Sequence, residues 1–105
     1  MSNYTMIATG ENSLQLAGEL TIYDAAEFKT ALLNRLVATQ ELRVDLSGVT
    51  ELDCSAVQVM LLAQREAAAA DKTLQWEKHS QAVNQVLGIL NLGGMLGQPV
   101  SLVWS

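Results

Sequence analysis

Residues 44–62 read VDLSGVTELDCSAVQVMLL and pass from a strand pattern into a helix pattern with only a polar bend between them. Leu42, Val44 and Leu46 point one way while Arg43 and Asp45 point the other, the period-two alternation of a half-covered strand. Beyond the bend, Val57, Val59, Met60, Leu61 and Leu62 leave a helix, running from about Ser55 to Asp71, with little polar surface in its first turns. Such a helix must be covered on several sides and is expected to be the most buried in the molecule. Strands alternating with helices of this length imply crossover connections, parallel neighbours and helices packed on a sheet.

The flanking segments fit that frame. Tyr4 to Thr9 and Ser13 to Gly18 are β-prone runs split by the turn-like GENS, which suggests a hairpin in which Leu14, Leu16 and Leu20 share a covered face. In YDAAEFKTALLNRLVA, Asp24 is a good helix cap, Glu27 completes a capping box, and Tyr23 can staple onto Phe28. Phe28, Leu32 and Leu36 then recur at helical spacing. TLQWEK reads as a short strand with Leu74 and Trp76 on one face. A third helix begins near Ser80, buries Val83, Val86, Leu87 and Leu90, and stops before Gly93 and Gly94. PVSLVW suits a last short strand. The class is α/β, in the order β-β-α-β-α-β-α with that β to close.

Composition narrows the function. A chain of 105 residues fits one domain, and half of them are hydrophobic, enough for a core of its own. The net charge is −5, and the few Lys and Arg are too scattered to form the basic stripe that nucleic acid requires. An acidic surface could suit a basic protein partner, but it is first of all the ordinary state of a soluble domain. No apolar run reaches the roughly 18–20 residues of a membrane span. The opening MSNYTMIATGENS lacks the basic and apolar stretches of a signal peptide, and one cysteine fits a reducing compartment; a cytoplasmic setting is expected.

Few residues carry chemistry. His79 has no second ligand at metal spacing and reads as a loop residue, GGMLG lacks the Lys-Ser/Thr of a phosphate loop, and Trp76 and Trp104 read as packing. Neither metal nor cofactor is expected. Cys54 near a helix start is the one argument for an enzyme, because a helix N-terminus lowers a thiol's pKa. Asp53 works against it, the only histidine is distant in the chain, and packing explains the residue as well. Ser55, with Gln58 three residues on, forms a capping box that Cys54 and Val59 can staple. Its hydroxyl is equally a chemically reasonable phosphate acceptor, since helix amides tolerate an added anion.

The stretch VDLSGVTELDCSAVQVMLLAQREA resembles the signature of the STAS domain family of sulfate transporters and anti-sigma factor antagonists. That family shows a strand ending in Asp-Leu-Ser, then Asp-Ser-Ser-Gly before an apolar helix, matched here at Asp45, Leu46, Ser47, Val49, Asp53 and Ser55. LAGEL (Leu16 to Leu20) and LGILNLGGML sit where the family has its Gly-Glu-Leu and Leu-x-x-x-Gly-Leu patterns. The resemblance covers nearly the whole chain, although the family's final helix is missing from VSLVWS. It implies a mixed sheet of about four to five strands with about three helices on one side. It also implies a non-catalytic anti-sigma factor antagonist that switches partners. A serine kinase that is itself the anti-sigma factor would phosphorylate Ser55, and a phosphatase would reverse it. The implied partner surface centres on a loop Ser47–Ser55 and the next helix start, and comprises Asp24, Ser47, Asp53, Cys54, Ser55, Ala56 and Gln58. Cys54 stands for the family's first serine and Ala56 for its glycine, which adds a Cβ beside Ser55. Family members without the phosphoserine switch serve lipid ABC transporters or chemotaxis-linked complexes, a second expectation for this chain.

Overall fold

In the computed structural model, which describes residues 3–90, β1 (Tyr4–Gly10) and β2 (Ser13–Leu20) form a hairpin. They are followed by α1 (Ala25–Val37), β3 (Glu41–Leu52), α2 (Cys54–Ala69), β4 (Thr73–Glu77) and α3 (Gln81–Leu90). The element order matches the sequence reading. The four strands lie side by side as β1-β2-β3-β4, antiparallel in the hairpin and parallel across β2/β3 and β3/β4, a mixed sheet. The side chain of Leu90, the helix stop at Gly93 and Gly94, and PVSLVW with Trp104 fall outside the described residues.

One face of the sheet is apolar. Leu14 and Leu16 of β2, Leu42, Val44 and Leu46 of β3, and Leu74 and Trp76 of β4 are buried in one cluster with Phe28, Leu32, Val57, Met60, Val83 and Leu87 of the helices. The other face is polar: Arg43 meets Glu77 at 3.6 Å and Gln75 at 3.4 Å, and Lys78 meets Asp45 at 3.7 Å. Helix α2 buries six residues, against three for α1. Leu61 and Leu62, expected inside, are only half-buried, because the inward stripe runs Ala56, Val59/Met60, Ala63, Ala67.

The largest departure from the sequence reading is in β3. The stretch from Ser47, expected as a loop, is strand to Leu52. From Gln15↔Asp45 to Ala17↔Gly48, β2 advances two residues and β3 three; from Gly18↔Val49 to Glu19↔Glu51, β2 advances one and β3 two. Each extra residue is a bulge that inverts the facing of the residues after it. The buried side therefore runs Leu42, Val44, Leu46, then Val49, then Leu52. A broken alternation hid a continuous strand. At the first shift Gly48 lies so close to β2 that a Cβ there would sit 2.8 Å from that of Ala17. Gly18, with φ +93°, likewise has no room: its Cβ would stand 2.5 Å from the carbonyl oxygen of Asn3.

The entry to α1 also differs. Asp24 is the cap residue but makes no side-chain cap hydrogen bond, and Tyr23 is 90% exposed, so neither box nor staple forms. The ring packed on Phe28 is that of Tyr4, edge-on with centroids 5.9 Å apart. Burial, reinforced by Glu27, which the Tyr4 hydroxyl meets, pushes that phenol up to about 12. At the far end of α1, the Lys72 ammonium donates to the carbonyls of Leu36 (2.7 Å), Thr39 (2.9 Å) and Val37 (3.2 Å), a cation where the helix dipole favours one.

Candidate functional site at the start of helix α2

Strands β2 and β3 end together at Leu20↔Leu52, and the chain turns at Asp53 into α2. Asp53 is extended (φ −110°, ψ 178°), as a cap residue should be. Its amide donates to the Leu20 carbonyl at 3.1 Å. One carboxylate oxygen accepts from the Ala56 amide at 3.2 Å and the other from the Ile22 amide at 2.7 Å. A single side chain thus caps α2 and pins the turn that leads into α1. This corrects the sequence reading, in which Ser55 opened the helix: the cap is Asp53, and Ser55 stands in the first turn, half-buried, with its hydroxyl released from that duty.

The neighbours of Ser55 sort cleanly. Cys54 is exposed, so it neither packs inward nor staples onto Val59. Gln58, one turn on, is exposed too, and α2 has no acidic side chain in its first turn. Ala56, expected on the partner surface, is instead fully buried, and its methyl packs in the core. Asp53, Cys54, Ser55 and Gln58 are therefore together. The first-turn amides not taken by Asp53 have no partner within the helix and carry partial positive charge.

Two expected members lie elsewhere. Ser47 is exposed, but it sits six residues before Asp53 on β3, roughly 15–20 Å back at a strand's rise per residue. Its amide donates to Asp45 at 2.8 Å. Burial raises the Asp45 carboxyl, but the Ser47 hydrogen bonds and Lys78 outweigh it and hold it below the usual range. Asp24 is buried, with an oxygen 3.5 Å from the Asn3 amide, so it braces the β1 entry and presents no surface. Tyr23, by contrast, was read as a staple but is 90% exposed, and its neighbour Ile22, whose amide Asp53 holds, is 64% exposed. Nothing in the sequence distinguishes an apolar residue that staples a helix from one that faces outward.

His79, expected on a surface loop, is half-buried between β4 and α3, and its Nε2 is buried without a hydrogen-bond partner. Ser80 caps α3 beside it, accepting from the Val83 amide at 3.2 Å. No group of three or more His, Cys, Asp or Glu residues among those described is placed to hold a metal. Burial lowers the His79 pKa from its ordinary 6.5. The unfolded chain then binds a proton more readily, so this contribution to stability is complete above pH 6.5 and is lost as pH falls through the lower folded value. Urea melts between pH 7.5 and 5 should show that decline, and His79→Gln should flatten it; parallel profiles for the two proteins would refute the assignment.

A family model described as "Mlab, STAS domain" matches residues 6–98. Among solved structures, the unphosphorylated anti-sigma factor antagonist SpoIIAA superposes with a TM-score of 0.68 at 17% identity, over 86% of this chain and 82% of its own. An anti-sigma factor antagonist from Mycobacterium paratuberculosis gives 0.74 at 14% identity, over 89% and 82%. The fold is thus shared with these proteins at low identity. Comparison with curated proteins finds no match.

Proposed function

The chain belongs to the STAS domain family, and on that footing we propose that it is a regulatory binding module of the anti-sigma factor antagonist type, controlled by reversible phosphorylation of Ser55. The observation that carries this reading is the division of labour at α2: Asp53 does the capping, which leaves the Ser55 hydroxyl available at a helix end able to receive an anion. The unmodified domain binds an anti-sigma serine kinase through Asp53, Cys54, Ser55, Gln58 and the adjoining turn. The kinase modifies Ser55, and a phosphatase restores it. The domain itself catalyses nothing, uses no cofactor and works in the cytoplasm. Among the described residues no helix is long and apolar enough to cross a membrane.

Phosphorylation would add about −1.5 to −2 charges near Asp53. The α2 amides offset roughly 0.3–1 kcal/mol of the repulsion, so the fold survives. A partner packed on the bare hydroxyl meets bulk and a hydration shell instead, and it dissociates. Ser55→Asp should keep the parent's circular dichroism and melting temperature yet weaken binding to the purified kinase by at least about tenfold in calorimetry. Ser55→Ala should bind constitutively. Equal binding by both variants would end the switch. Membership of the STAS family also supports a second reading: a STAS subunit of a lipid ABC transporter or chemotaxis-linked complex without phosphorylation. Under that reading neither the kinase nor phosphate would touch Ser55.

A further inference from the structure

Strand β1 forms one side of the sheet, and its outer edge has no strand beside it among the described residues. Which backbone groups it leaves open follows from the register. The Glu19 amide donates to the Asn3 carbonyl at 2.9 Å, and the pairs then run from Tyr4↔Gly18 to Ala8↔Leu14 without a break. Hydrogen-bonded and non-hydrogen-bonded pairs alternate in an antiparallel ladder. Thr5 and Ile7 therefore bond to β2, while Tyr4, Met6 and Ala8 turn their N–H and C=O groups outward. Such a row of open donors and acceptors is a template for another strand.

Proteins ordinarily guard such an edge with Lys, Pro or an inward-pointing charge. β1 reads YTMIATG, has none of these, and is the only described strand without a charged residue. Every Asp, Glu, Lys and Arg of the chain lies between Glu11 and Lys78. On the face away from the helices β1 exposes Thr5 and Ile7, the latter at 54%. Its one irregularity falls between Ala8 and Gly10, so the regular stretch Tyr4 to Ala8 is symmetric about Met6.

We propose that this edge is an interface between two copies of the chain, in which β1 pairs antiparallel with β1 of its mate about a two-fold axis at Met6. The pairs Tyr4–Ala8, Met6–Met6 and Ala8–Tyr4 then satisfy every outward N–H and C=O of the stretch. Ile7 of each copy lies against Thr5 of the other, in the non-hydrogen-bonded position where side chains approach most closely. The two-fold makes the edge its own complement and closes the assembly at two. Charge selects the occupant. Each copy carries −5, so two copies repel wherever their acidic surfaces meet, and β1 offers an approach without that repulsion. A basic protein finds no counter-charge on β1 and is drawn to the acidic remainder. So short a stretch buries less than the roughly 800 Å² per copy of a standard interface, and the dimer dissociates in roughly the micromolar range.

Sedimentation equilibrium of the full chain from about 1 to about 500 µM should show a reversible monomer–dimer equilibrium that tightens as salt screens the two acidic copies. Amide exchange locates the contact. Tyr4, Met6 and Ala8 should gain several-fold protection with concentration, whereas Thr5 and Ile7, bonded to β2, should be protected at every concentration. Ala8→Pro removes one outward donor and none of the bonds to β2, a change an edge strand tolerates. It should keep the circular dichroism of the parent and raise the dimer Kd at least about tenfold. Should that variant fail to fold, the exchange pattern of the parent decides. A monomer at every concentration would overturn the proposal, and protected Met6 and Ala8 amides in that monomer would mean that the chain covers its own edge. A dimer that is indifferent to Ala8→Pro, protects other amides or loosens with added salt would overturn it equally.

Discussion

Phe28→Ala should cost about 3–5 kcal/mol, a large part of the roughly 5–15 kcal/mol that stabilises a typical domain. The side chain is fully buried where α1 crosses the sheet, among the largest in the core. Removing it leaves a cavity that α1 cannot close, because the Lys72 ammonium holds the helix at one end and the Asp53-pinned turn at the other. It also strips the Tyr4 ring of its edge-on partner, an aromatic pair worth about 0.5–1.5 kcal/mol beyond area alone. Urea unfolding reads the loss directly. Should the variant fail to accumulate, Phe28→Leu, which keeps most of the volume, gives the same sign at a smaller size. A loss below about 1 kcal/mol in Phe28→Ala would mean that α1 is loosely packed.

Asp53→Ala is the second large effect, about 2–4 kcal/mol, and it comes from almost no buried apolar area. Loss of the cap on Ala56 accounts for about 0.5–2 kcal/mol. Loss of the charge-assisted bond to the Ile22 amide adds about 1.5–3 kcal/mol where water cannot replace it, and less here because that amide lies near solvent. Asp53→Asn keeps one strong acceptor and should lose roughly half as much. Amide exchange separates the two roles: both the Ile22 and Ala56 amides should lose protection in Asp53→Ala. Faster exchange at Ala56 alone would show that the turn before α1 stands without Asp53.

Element order and the burial of α2 were legible because period-two and helical apolar patterns leave direct traces in a sequence, whereas the mixed sheet was implied by the family resemblance. The start of α2 was legible only in part. Asp53 and Ser55 are both good cap residues two positions apart, and which one caps depends on where β3 ends. That end was hidden, since the two bulges break the alternation on which strand reading relies. Tyr23 was misplaced because stapling onto Phe28 and facing solvent are equally compatible with its spacing; Tyr4, twenty-four residues before Phe28, took the place instead. Asp24 looked like a surface residue, but it is buried, with an oxygen 3.5 Å from the amide of Asn3, twenty-one residues before it. Local chemistry wrote the frame, and tertiary contact decided which of two similar side chains performed each task.

The two bulges in β3 also bear on how such a chain tolerates changes in length. Leu46 and Leu52 share a facing although Val49 between them is out of step with both, so two single-residue offsets cancel. Facing along this strand is a matter of parity. One residue added or removed between Leu46 and Leu52 leaves an odd count, and the strand must then create or erase a bulge or else turn Leu52 outward and swing Asp53 away from Leu20 and Ile22. A change of two residues that also keeps Gly48 against Ala17 restores parity at once. Length variation in this strand should therefore come in pairs, and a lone gap placed here when the chain is aligned with another marks a bulge gained or lost rather than a loop of variable length.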